Sequence, residues 1–129
     1  MWSTVELRSA LEAVPELQLA VMFGSAARGA LTRESDLDIG ILGVSPARLP
    51  DLGVRLARIA GRDADLVALE TAPPLLRFEI ARDGVLLLER DPGQWADVRA
   101  RAMVDWWEWA PTAHRLASAA MARLEQKAR

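Results

Sequence analysis

An α+β fold, with a small sheet of about four strands flanked by helices, is what this sequence predicts, and three observations carry it. Short apolar runs closed by glycine or a turn, at 17–23 and Val85–Glu89, have the length of strands. Residues 36–42 and 63–69 alternate acidic or small residues with apolar ones, the period of a strand with two unlike faces. Between and after these lie apolar residues spaced by three and four, the period of an amphipathic helix.

Taken in order, residues 4–14 read as a helix with Ser3 or Thr4 as its N-cap and Val5, Leu7 and Leu11 as buried positions. Pro15 ends it, and 17–23 is a buried strand. Residues 25–31 read as a brief helix with Gly24-Ser25 at its start, and 32–35 as a polar loop into the second strand, 36–42. A connection with two prolines leads to a helix over 49–59, buried through Leu52, Leu56 and Ile59 and stopped by Gly61. In the third strand, 63–69, Asp65, Val67 and Leu69 share one face, while Leu66 and Ala68 share the other. A helix starts near Thr71, with proline in its first turn, and runs to about Ala81. Asp83-Gly84 turns the chain into the fourth strand, Val85–Glu89.

From Pro92 onward the pattern is helical. Trp95, Val98, Ala102, Trp106 and Trp109 fall on one stripe. Pro111 is expected to interrupt, with a second helix over 112–127 carrying Leu116, Ala120 and Leu124 in line. No internal repeat or low-complexity segment is present. The expectation is one domain over 1–129, with a C-terminal helical segment at about 92–129.

Composition narrows the function. The chain has 129 residues, 16 basic against 18 acidic, for a net charge of −2. A nonspecific nucleic-acid binder normally shows a basic excess, so DNA or RNA is not expected as the primary partner. With no cysteine, disulfides and thiolate metal sites are excluded. The charged N-terminus does not read as a signal peptide, and no run approaches the roughly 20 apolar residues of a membrane span. The expectation is a soluble cytoplasmic protein. His114 is the only histidine and lies far along the chain from the acidic motif. There is no tyrosine, so chemistry on that side chain would act on another molecule.

The chemistry concentrates between residues 17 and 42. Asp36 and Asp38 stand two residues apart on a strand, so their carboxylates share a face, with Cα atoms about 6.6–6.8 Å apart. Carboxylates so placed can hold divalent magnesium, which takes hard oxygen ligands and substrate phosphates. Two such ions roughly 3.5–4 Å apart serve in-line phosphoryl displacement. A third carboxylate from a neighbouring strand would complete the site, with Asp65 the leading candidate and Asp63 the runner-up. Gly24-Ser25 at a helix start would offer free N–H groups to a phosphate. Arg28, one turn on, could meet the same phosphate or form a surface ion pair. Each part alone has a bland explanation: a solvated strand end, a turn, a surface charge. The combination of strand, Gly-Ser, helix, loop and Asp-x-Asp strand is what carries the reading.

Gly24-Ser25, ten residues, then Asp36-Leu37-Asp38 matches the GSx10DxD signature of the DNA polymerase β-like nucleotidyltransferases. The fuller string GSAARGALTRESDLDIGIL resembles the minimal nucleotidyltransferase (MNT) branch, and the resemblance continues through DLVAL and the tryptophan-bearing helix. The chain looks like the antitoxins of HEPN/MNT toxin–antitoxin pairs (MntA with HepT). That resemblance implies the polymerase β-like fold with a small mixed sheet. It also implies Mg2+, two ions, and ATP as substrate, with AMP transferred to a tyrosine of a HEPN ribonuclease toxin, which is thereby silenced. By position, Gly24 and Ser25 would hold the triphosphate and Asp36 and Asp38 the magnesium. Asp65 would be the third carboxylate, completing the metal site, and could also accept the tyrosine proton.

Four of the five tryptophans lie between Trp95 and Trp109. Trp106, Trp107 and Trp109 cannot share one stripe, because adjacent helical residues diverge by about 100°. At least one is therefore expected on the surface, and this helix is expected to dock the partner toxin or a second copy. Two readings compete with the leading one: an antitoxin that neutralises by contact alone, and a nucleotidyltransferase acting on a small molecule.

Overall fold

A computed structural model describes residues 3–29 and 35–128. Along the chain come α1 (Thr4–Glu12), β1 (Leu19–Phe23), β2 (Leu37–Leu42), α2 (Leu49–Ala60), β3 (Ala64–Ala68), α3 (Pro74–Asp83), β4 (Val85–Glu89) and α4 (Gln94–Ala128). A single 3-10 turn, Pro46–Arg48, leads into α2. The strands form one sheet in the order β3-β2-β1-β4. β1 is antiparallel to both its neighbours, while β2 and β3 are parallel, joined by α2 as the crossover. The sheet is mixed, as the motif resemblance implies.

β1 sits inside the sheet and is buried on both faces, which is why its sequence is continuously apolar. On one face Ala20, Met22, Leu37, Ile39 and Ile41 meet Leu7 and Leu11 of α1 and Leu52 and Leu56 of α2. On the other, Leu19, Val21 and Leu69 meet Ile80 of α3, with Leu76, Trp95 and Val98 packed against them. Each fully buried aliphatic side chain contributes about 1.5–3 kcal/mol. Arg90 ties the edge together: its guanidinium donates to the carbonyls of Leu17 (3.0 Å), Glu12 (2.9 Å) and Val14 (3.0 Å). Among the described residues no helix is long and apolar enough to cross a membrane.

Several boundaries differ from the sequence expectation. The Ser3 hydroxyl caps α1 by accepting from the Val5 N–H, yet Val5 itself is 70% exposed. It stands roughly 200° around the helix from Leu7, on the opposite side. Residues 24–29 form turns, not the expected helix. One helical bond closes (Arg28 N–H to Gly24 carbonyl, 3.2 Å), after which Gly29 takes the left-handed φ of 69° and breaks the run. The expected end of that helix at Leu31 and the loop at 32–34 lie outside the described residues. α3 begins at Pro74 rather than Thr71, since the residue before a proline is pushed out of the helical region.

The largest difference is at Pro111. α4 runs unbroken for 35 residues through it. Proline there removes one bond, to the carbonyl of Trp107, on the solvent side of the helix, where water can take that carbonyl's place.

Gly84 marks a close approach. A Cβ there would run into the Ile80 carbonyl and stand 2.6 Å from Val21 Cγ1. Gly84→Ala is therefore expected to destabilise the protein by about 1–3 kcal/mol through overpacking. Urea unfolding checks this, the midpoint falling at unchanged m-value.

Candidate active site

The end of β1 meets the start of β2. In the antiparallel register Phe23 pairs with Asp38, and in the parallel register Asp38 pairs with Asp65 of β3. Paired residues point to the same side of a sheet, so Asp38 and Asp65 face the same way on adjacent strands about 4.8 Å apart. Asp36 stands two residues before Asp38, just ahead of the strand, and shares that side. Leu37, Ile39 and Ile41 point the opposite way and are fully buried. The alternation of acid and aliphatic residues thus divides β2 between a polar site and the core. Asp63 lies beyond the start of β3, where its carbonyl accepts from the Leu37 N–H at 2.8 Å. Continuing the register, it stands level with Asp36, two residues before the Asp38–Asp65 pair.

The electrostatics agree with the register. Burial pushes the Asp38 carboxyl above its ordinary range, and the charges of Asp65 and then Asp36 push it the same way, while Arg28 opposes them. Asp36, Asp38, Asp65 and Arg28 are therefore brought within electrostatic range of one another. Arg28 also acts on Asp83, at the end of α3, whose carboxyl is held low first by its hydrogen bonds from Arg82.

Gly24 closes β1 in the left-handed region, with φ 69°. A side chain on it would collide with the Asp38 carboxylate. Glycine at this position is thus required twice, by the backbone and by the carboxylate it faces. Ser25 follows in the same turn. Among the described residues, no three Asp, Glu or His side chains are grouped tightly enough to hold a metal ion as they stand. The donor chemistry nonetheless suits magnesium: the acids are all hard oxygen ligands, and their mutual repulsion is what a divalent cation would relieve. His114 lies apart in chain and fold, exposed in the second half of α4.

Two contributors escaped the sequence reading. Arg62, after α2, donates to the Ser35 carbonyl at 3.1 Å and fixes the entry to β2. Asp83, a turn residue in the sequence, feels the charge of Arg28 as a minor influence beside that of Arg82. Neither lies in a motif, and each is brought in only by the crossover and the return of α3.

This arrangement, a Gly-Ser turn against an Asp-x-Asp strand with a third carboxylate on the parallel neighbour, is the one expected of a nucleotidyltransferase. A model of the Polymerase beta nucleotidyltransferase family matches residues 6–93, and the chain belongs to that family. The match includes every residue named above as a site candidate except His114 and stops just before α4. Among characterised relatives, the protein adenylyltransferase MntA of Shewanella oneidensis is 36% identical over 75 residues, covering 55% of this chain and 53% of that protein. The chain thus matches about half the length of this curated relative. Among solved structures, a toxin–antitoxin with AMP-PNP superposes with a TM-score of 0.83 at 23% identity, covering 92% of this chain and 98% of the other. The MNT antitoxin in complex with the tri-AMPylated Shewanella oneidensis HEPN toxin gives a TM-score of 0.76 at 20% identity, covering 92% and 95%. These likenesses establish the fold.

Proposed function

We propose that this protein is the antitoxin of a HEPN/MNT pair and transfers AMP from ATP to a tyrosine of its cognate HEPN ribonuclease toxin, neutralising it. The observation that carries the reading is the register that sets Asp65 beside Asp38, with Asp36 and Gly24 bordering the same spot. The adenylyltransferase name of the Shewanella relative supports the chemistry, and the superposed toxin–antitoxin complexes support the partner.

In this reading the Gly24-Ser25 turn receives the triphosphate and Arg28 adds positive charge beside it. Asp36, Asp38 and Asp65 would hold Mg2+, most simply two ions, which when bound supply Lewis-acid stabilisation of phosphate charge. The acceptor phenol oxygen forms a bond to the α-phosphorus as the bond to pyrophosphate breaks, with Asp65 as the acceptor of the phenol proton. With no tyrosine in the chain, the acceptor belongs to the partner. ATP as substrate fits a cytoplasmic protein.

A silent site that neutralises by contact alone is the reading to separate from this one. Co-expression with the toxin does so. Wild type is expected to abolish its ribonuclease activity, and Asp36→Asn with Asp38→Asn to leave most of that activity in place. Full neutralisation by the double variant would show that contact suffices and overturn the catalytic reading.

A further inference from the structure

α4 carries one apolar stripe along its whole length, but this chain covers only the first half. At about 100° per residue, Trp95, Val98, Ala102, Trp106, Trp109, Leu116, Ala120 and Leu124 all fall within roughly 40° of one line. Trp95 and Val98 pack on the sheet, Ala102 is buried, and Trp106 stacks on Phe78 of α3 at 5.5 Å between ring centroids. Farther along the helix the stripe stands bare among the described residues. Leu116 is 59% exposed and Leu124 61%. The bare segment, 109–128, is roughly 30 Å long, and a helix that continues its buried stripe into water is built to be covered.

The flanking charges indicate the cover. On the packed half, Asp105 borders the stripe and pairs with Arg77 of α3 at 2.9 Å. Eighteen residues on, five full turns, the same angular position holds Arg123, with Lys127 beside it, while Glu125 points away. The covered half borders its stripe with an acid on one flank and, on the other, with Arg99, which donates to the Ala81 carbonyl at 2.9 Å; the free half borders its stripe with bases alone. A parallel second copy would set Arg123 against Arg123 and Lys127 against Lys127.

We infer that residues 109–128 of α4 dock an amphipathic helix of the toxin whose apolar stripe is bordered by carboxylates, extending on the partner the packing that α3 provides within the chain. The inference rests on the proposed function for the identity of the partner, and it assigns the surface.

Full-length protein and the cognate HEPN toxin test it by isothermal titration and light scattering. Leu116→Glu with Leu124→Glu is expected to weaken binding by about 100-fold. Arg123→Glu with Lys127→Glu is expected to weaken it by about 10-fold and to remove most of its salt dependence. All four side chains are exposed, so the variants should keep the wild-type melting temperature and ATP affinity. Wild-type binding with both variants equally tight would overturn the docking surface and leave the proposed function standing. A wild-type chain that is dimeric alone and made monomeric by Leu116→Glu with Leu124→Glu would assign the stripe to a second copy instead. If the wild-type protein neither binds nor modifies the toxin, the proposed function itself fails, and the inference with it.

Discussion

Asp38→Asn is expected to abolish AMP transfer while leaving the metal-free protein more stable than wild type. Removing one metal carboxylate costs on the order of 4 kcal/mol of transition-state stabilisation, about 10^3-fold in rate. The stability change has the opposite sign, for a reason visible in the site. Asp38 has its carboxyl raised by burial and by the charges of Asp65 and Asp36. A group whose pKa is raised by folding contributes stability below its unfolded value, and that contribution is lost as pH rises through the folded one. At neutral pH the ionised carboxylate therefore works against the fold, and the neutral amide removes the penalty without changing the shape. Thermal melts in EDTA should show the variant above wild type at pH 7, with the gap closing as the pH falls toward 4. Magnesium with a nonhydrolysable ATP analogue should raise the wild-type melting temperature more than the variant's. A variant that loses activity and stability together in EDTA would mean that Asp38 is structural.

Gly24→Ala is the second large effect. Left-handed backbone costs an alanine about 1–2 kcal/mol, and the new Cβ must push the Asp38 carboxylate aside. Displacing a ligand by an ångström costs about 10^2-fold in rate. Gly61→Ala separates the two terms: Gly61 also has φ 69°, at the end of α2, but a Cβ there meets nothing within 4 Å. The two variants should lose similar stability, and only Gly24→Ala should lose activity. Equal activity in both would remove Gly24 from the site.

Much of this was legible in the residues. The division of β2 into an acidic and an aliphatic face follows from period two, and the core confirms it through Leu37, Ile39 and Ile41. The sequence marks both ends of β4, and α2 to within a residue, because Gly61 and the Leu52–Leu56 spacing bound it locally. What failed depended on context. Val5 is apolar but faces water, because the sheet lies on the other side of α1. Pro111 reads as a helix break, yet it stands on the solvent side, where one missing bond is tolerated. Residues 24–29 read as a helix start, but two left-handed glycines confine the helical geometry to a single turn. The pairing of Asp38 with Asp65, and not with Asp63, is a matter of register between strands separated by α2, which no local pattern encodes.

The central claim is that this site transfers AMP to a partner tyrosine, and the intact mass of the cognate toxin tests it most directly. After incubation with wild-type protein, ATP and magnesium, the toxin is expected to gain one or more AMP residues on tyrosine, and none when Asp36→Asn with Asp38→Asn or EDTA is used instead. A toxin that is bound and silenced by wild-type protein with no change in mass would contradict it.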